Sequence, residues 1–134
     1  MARKPKVLDS WAMMAFFQNE AAADRVEKII VEAHQSDTPL LMSVINAGEL
    51  WYNTARGHSS ADAERVIQEL ANLKIEIVAA DWETTKQAAV FKTIGRIAYA
   101  DCFAAALAKL RKADLVTGDS EMKLLEGEVK ITWV

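Results

Sequence analysis

Cysteine is almost missing from this sequence. Cys102 stands alone among 134 residues, so no disulfide can form within the chain. A cysteine-ligated zinc site has too few thiols to be built. A chain without disulfides fits a reducing cytoplasm. Net positive charge is missing too: 16 Lys and Arg face 19 Asp and Glu, for a formal charge of −3. No global basic field draws in a polyanion, so a nucleic-acid enzyme would need local basic groups, a metal ion, or both. No apolar run is long enough to cross a bilayer. The basic start, Met1-Ala2-Arg3-Lys4-Pro5-Lys6, leads only into a short mixed run and does not read as a secretory signal. Repeats, low-complexity tracts and linkers are absent.

What is present is enough apolar material for a core: 51% of the residues are hydrophobic, and the length suits one domain. The expectation is a single cytoplasmic domain over residues 1–134, without a membrane segment.

Periodicity divides the chain into alternating elements. Lys6 to Leu8 reads as a first strand ending at Asp9. Trp11 to Gln18 is apolar and mostly unbranched, which favours helix. Ala22, Val26, Ile29, Ile30 and Ala33 recur at helical spacing and predict a helix over Ala21 to His34. Pro39 closes a loop, and Leu40-Leu41-Met42 is a buried strand. Ser43 is a candidate N-cap for a helix to Arg56, stopped by Gly57. A helix opening at Ser59 or Ser60 follows, then a strand over Ile75 to Ala79 and a helix over Asp81 to Ile94 closed by Gly95. Ala100 or Asp101 to Lys112 is the next helix and Leu115 to Thr117 the next strand. One or two helical turns over Ser120 to Leu125 lead to a last strand, Val129 to Val134. Strands alternating with helices predict an α/β fold, a parallel sheet with helices on both faces.

In such a sheet, sites form beyond the carboxyl ends of the strands. Asp9 lies at that end of the first strand, and Asp119 just past that of the fourth. The helix beginning near Asp101 must point its N-terminus the same way, because only Ala113 and Asp114 separate its end from the next strand. Glu49 lies within two turns of the end of the second strand, on one helix face with Asn46. Four acids from distant parts of the chain are therefore steered to one edge. Glu49 and Asp101 sit among apolar neighbours, and no Lys or Arg adjoins either of them or Asp119 in sequence. Buried, crowded carboxylates are costly without a counter-charge. A hard divalent cation supplies one, and all-oxygen ligands without histidine favour Mg²⁺ or Mn²⁺ over zinc.

Four stretches, KVLDSWAMMAFF, MSVINAGELWY, YADCFAAALA and LVTGDSEM, resemble in order the acidic motifs of PIN-domain nucleases, most of all the compact VapC-type toxins of toxin–antitoxin pairs. The resemblance spans essentially the whole chain, including the final VKITWV. It implies a PIN-like, five-stranded parallel sheet and metal-dependent endoribonuclease activity. It also implies an RNA substrate, inhibition by a cognate antitoxin and a homodimer. Asp9, Glu49, Asp101 and Asp119 align with the family's acidic quartet. Ser10, Ser43, Asn46 and Thr117 fall on its recurrent polar supports. Trp11 stands where many relatives carry a smaller residue, which implies a narrower mouth.

On that reading Asp9 and Asp101 are the expected direct metal ligands. Glu49 would bind metal or orient water, and Asp119 would act through a water or a second site. Glu121 is a spare acid. Arg56, Lys92 and Arg96 are candidate RNA contacts, and Trp11 or Tyr52 a candidate base stacker. An acidic pocket also invites an antitoxin arginine.

Plainer readings stand beside these. Asp101 alone reads as an N-cap, Asp9 and Asp119 as loop acids, the three cations as solvated charges, and the four tryptophans as core or interface residues. The alternative function is a catalytically silent PIN-like module that binds RNA or a partner. An aspartyl-phosphate phosphotransferase would want a second acid two residues after Asp9, where Trp11 stands. A receiver-type domain would want a lysine beyond the last strand.

Overall fold

The computed structural model describes residues 3–134. Five strands form one parallel sheet in the order β3-β2-β1-β4-β5. They are β1 (Lys6–Leu8), β2 (Leu40–Ser43), β3 (Ile75–Val78), β4 (Asp114–Thr117) and β5 (Ile131–Trp133). Helices α1 (Ser10–Phe17) and α2 (Ala23–Gln35) join β1 to β2. Helices α3 (Val44–Gly57) and α4 (Ser60–Asn72) join β2 to β3, and α5 (Trp82–Lys92) and α6 (Tyr99–Leu110) join β3 to β4. A 3₁₀ segment, Ser120–Leu125, leads towards β5. Among the described residues, no helix is long and apolar enough to cross a membrane.

The period-two pleat of the strands explains the two cores. Val7, Leu41 and Leu115 point to one face and pack with Phe91, Ile97, Leu107 and the alanines of α6. Leu8, Leu40, Met42, Ile75 and Val116 point to the other, against Met13, Val26, Ile30, Leu50 and Leu70. Both faces are covered, which is why the strands read as continuous apolar runs. Truncating a fully buried side chain such as Leu50 to alanine would cost roughly 2–5 kcal/mol. The alanines of α6 bring that helix close to the sheet. No tryptophan joins either core. Trp82 is 73% exposed.

Helix ends depart from the sequence reading in an instructive way. Gly57 is the last residue of α3 and does not take left-handed backbone, and α5 ends at Lys92, ahead of Gly95. Four helices end instead on non-glycine residues with left-handed backbone: Asn19 (φ 52°), Asp37 (φ 54°), Lys74 (φ 57°) and Lys112 (φ 52°). In the turns of Asn19, Asp37 and Lys112 the next amide returns to the helix. Glu20 N–H donates to the Ala15 carbonyl at 2.9 Å, Thr38 to Ala33 at 2.9 Å, and Ala113 to Ala108 at 2.8 Å. These bonds satisfy the last carbonyls of those three helices. The last of these turns aims the chain into β4, and the first brings Glu20 back towards the carboxyl edge of the sheet.

Candidate active site

β1 is flanked by β2 on one side and β4 on the other. The connections leave β1 and β4 in opposite directions, so a crevice opens between their carboxyl ends. Here the last backbone pairing, Asp9 N–H to the Val116 carbonyl at 3.4 Å, gives way to side chains. A cavity of about 440 Å³ lies there, walled by Ser10, Trp11 and Met14 of α1, Glu20, Glu49 and Asn53 of α3, Ala98, Asp101, Asp119 and Glu121.

Asp9 is fully buried beneath this cavity. It is the N-cap of α1: Oδ1 accepts from the Ala12 amide at 2.8 Å. Its Oδ2 accepts a short hydrogen bond from the Thr117 hydroxyl, which in turn accepts from the Asp119 amide at 3.1 Å. Burial still lifts its carboxyl from 3.8 to about 7, and the nearby Asp119 and Glu49 charges add to the lift against the two hydrogen bonds.

Glu49 is held through one oxygen. Oε1 accepts from the Ser10 hydroxyl at 2.7 Å and from Asn46 Nδ2 at 3.1 Å. The same Asn46 nitrogen donates to the Ala100 carbonyl at 3.0 Å and so ties α3 to the first turn of α6. Both partners of that nitrogen are acceptors, which fixes the amide orientation. Asn46 Oδ1 is left buried and unpaired.

Asp101 is buried in the first turn of α6 but does not cap it. Ala98 is the N-cap residue and offers no side-chain bond. Every neighbour pushes the Asp101 carboxyl the same way. Burial comes first, then the charges of Asp119, Asp9 and Glu49, and together they lift it from 3.8 to about 8. Asp119 caps the 3₁₀ turn, accepting from the Glu121 amide at 3.0 Å. Carboxylate oxygens of Asp101, Asp119 and Glu121 lie within 4.8 Å of one another. Glu121 also accepts from the Ala98 amide at 3.3 Å.

Asp114 shows what a counter-charge does elsewhere in the fold. It too is buried, at the opposite end of β4. Burial raises its carboxyl, but the hydrogen bond and charge of Lys4 at 2.7 Å and the charge of Lys6 bring it below the ordinary value. No lysine or arginine lines the cavity around Asp101.

Of the four sequence-predicted acids, Glu49, Asp101 and Asp119 line this cavity and Asp9 lies beneath it; Asp9 and Asp119 are also N-caps. Ser10 and Asn46 hydrogen-bond Glu49, and Thr117 hydrogen-bonds Asp9. Ser43 serves differently: it caps α3, accepting from the Ile45 amide at 3.2 Å. Arg56, Lys92 and Arg96 are not brought into the cavity. Arg56 lies 4.8 Å over the Tyr52 ring, Lys92 clasps the Ile97 carbonyl at 2.5 Å, and Arg96 is exposed. Glu20 and Asn53 escaped the sequence reading. Asn53 was legible in principle, one helical turn beyond Glu49. Glu20 reaches the site only through the Asn19 turn. A second hollow, about 420 Å³ and lined by Phe17, Thr54, His58 and Arg65 among others, contains none of the acids.

The PIN domain family matches residues 6–128. The chain belongs to the PIN-domain family. Solved structures agree on the fold. A chain of the Rickettsia felis VapBC2 complex bound to promoter DNA superposes with a TM-score of 0.79 at 15% identity, covering 95% of this chain and 96% of that one. The Mycobacterium tuberculosis toxin VapC20, described as cleaving the sarcin–ricin loop, gives 0.73 at 14%, over 93% and 97%. A chain of VapBC-1 from nontypeable Haemophilus influenzae gives 0.73 at 18%, over 96% of each. No curated protein matches by sequence. What this PIN domain shares with these structures at such identities is the fold; its own side chains must carry the chemistry.

The donor set suits a hard divalent cation. Asp101, Asp119 and Glu121 offer only oxygen, lie close together and lack a neutralising side chain.

Proposed function

We propose that this PIN domain is a metal-dependent endoribonuclease acting as the toxin of a toxin–antitoxin pair. One observation carries the reading: Asp9, Glu49, Asp101 and Asp119 crowd together with no counter-charge, so tightly that burial and mutual repulsion hold Asp101 near 8. A fold that keeps such a cluster needs a cation to offset it. Mg²⁺ or Mn²⁺ is the cation proposed. Asp101, Asp119 and Glu121 would hold it, with Asp9 and Glu49 supplying further negative charge from below and beside. Such a cation, when bound, supplies an acidified water near neutral pH and offsets charge at the phosphate.

The chain's own groups do the rest. Ser10 and Asn46 fix Glu49 through Oε1, which leaves Oε2 as its uncommitted oxygen. That oxygen is placed to orient a water or accept its proton. Thr117 and the Ala12 amide lock Asp9, so the most buried charge of the cluster does not swing. The test is cleavage of single-stranded RNA by purified protein. Hydrolysis with Mg²⁺ or Mn²⁺ that stops with EDTA and with Asp101→Asn supports the reading. Cleavage that survives both substitution and chelation refutes it.

The toxin role is supported by the similar structures, which include VapBC assemblies, a member of the VapBC family of toxin–antitoxin systems and a toxin–antitoxin complex. The cavity's charge adds a physical reason: five carboxylates without a cation attract an inserted antitoxin arginine, which would compete with metal. A homodimer is proposed on the family resemblance.

A further inference from the structure

We propose that Trp11 is the nucleobase platform of this site, stacking one unpaired base of a single-stranded RNA beside the acidic cluster. The inference rests on the ribonuclease reading above. Its first support is the way the indole is held. Trp11 is the second residue of α1 and is 37% exposed, yet its benzo ring is wedged against Gly118. A Cβ at position 118 would lie 2.2 Å from Cη2 and Cζ3 and 2.7 Å from Cε3 of that ring. Only glycine admits this approach. A tryptophan that merely faced solvent would not need it. The indole therefore keeps one pose, with its remaining surface forming part of the cavity wall.

The second support is what else the wall lacks. Glu20, Glu49, Asp101, Asp119 and Glu121 line it, and no lysine or arginine does. Phosphates cannot supply local affinity through ion pairs at such a surface. Beyond what a bound cation would supply, affinity beside the scissile bond falls to neutral groups, and a base stacked on an aromatic ring suits a splayed strand. Tyr52, the other aromatic candidate, lies outside the cavity, with Arg56 4.8 Å over its ring.

Binding in an Asp101→Asn background, which keeps the RNA uncut, tests this. The probe is a single-stranded mixed-sequence oligoribonucleotide of about 10 nucleotides, with an abasic residue placed at each position in turn. Trp11→Leu, apolar but not aromatic, should weaken binding about 5- to 150-fold, the loss expected for one stacked base. Trp11→Phe should recover most of it. One abasic position should weaken binding to the Trp11 protein and not to the leucine variant.

Equal affinity for tryptophan and leucine overturns the platform, as does an abasic profile unchanged by the substitution. A steep salt dependence with no effect of leucine would assign the affinity to phosphates instead. Absence of binding by the folded Trp11 protein also overturns it, because stacking tolerates sequence. Trp11-dependent binding by a protein whose wild type cuts no RNA with Mn²⁺ would leave the platform standing and remove only the nuclease reading.

Discussion

Replacing Asp9 by asparagine should make the metal-free protein more stable, although it removes a buried residue with two hydrogen bonds. Lifting a fully buried carboxyl from 3.8 to about 7 costs the ionised folded state roughly 4 kcal/mol, at about 1.4 kcal/mol per pH unit. The sign follows from proton binding. The folded state keeps a proton that the unfolded chain releases near its ordinary value. Asp9's contribution to the stability of the metal-free wild type is therefore fullest below about pH 4 and is lost as pH rises to about 7, where it levels off.

Asparagine cannot ionise. Its Oδ1 still accepts from the Ala12 amide, and its amide can donate to Thr117 Oγ1 once that hydroxyl turns its proton away. The changed bond should cost about 1 kcal/mol. The net gain near pH 7.5 is then up to about 3 kcal/mol, on the order of 10 °C in Tm for a domain of this size. Thermal and urea unfolding of the chelated proteins between pH 4 and pH 8 measures this directly. A gain that grows with pH supports the argument. A variant less stable than wild type at pH 8, or a difference that ignores pH, would show that Asp9 is only a helix cap and that its burial carries no electrostatic cost.

The remaining predictions concern the rest of the cluster and its mouth. Mn²⁺ at about a hundred times its Kd should stabilise the wild type by roughly 2.7 kcal/mol; Asp101→Asn should remove most of that gain, and protection that survives the substitution would take Asp101 out of the ligand set. Ser10→Ala frees Glu49 Oε1 from its 2.7 Å bond and should lower metal affinity or cleavage about 10- to 100-fold with little change in Tm; calorimetric titration and single-turnover kinetics check both. Gly118→Ala drives a methyl into the Trp11 ring and should cost about 1–3 kcal/mol, and most of that cost should vanish in a Trp11→Ala background when the double-mutant cycle is measured by urea unfolding.

Much of the fold was legible because its signals are local. The strands are short apolar runs, and the helices carry caps within three residues of their starts: Ser43, Ser59 and Asp81 behave as local rules require. Helix ends were less legible. The chain stops four helices on Asn19, Asp37, Lys74 and Lys112, residues that adopt left-handed backbone at a cost of about 1–2 kcal/mol, while Gly57 and Gly95, which looked like stops, do not take that backbone. The return bonds to Ala15, Ala33 and Ala108 make three of those turns worthwhile, and no residue type announces them.

The acids divide the same way. Sequence by itself determined that Asp9, Glu49, Asp101 and Asp119 belong to one edge of a parallel sheet, because strand ends and helix starts alternate along the chain. Only the tertiary structure decided which of them touch. β1 lies beside β4, so Thr117 reaches Asp9 across 108 residues of sequence, and the 3₁₀ turn swings Glu121 into the set with Asp101 and Asp119. The same adjacency sets Trp11 against Gly118. Strand order is a long-range choice made by burying both sheet faces at once, and no short stretch of sequence encodes it.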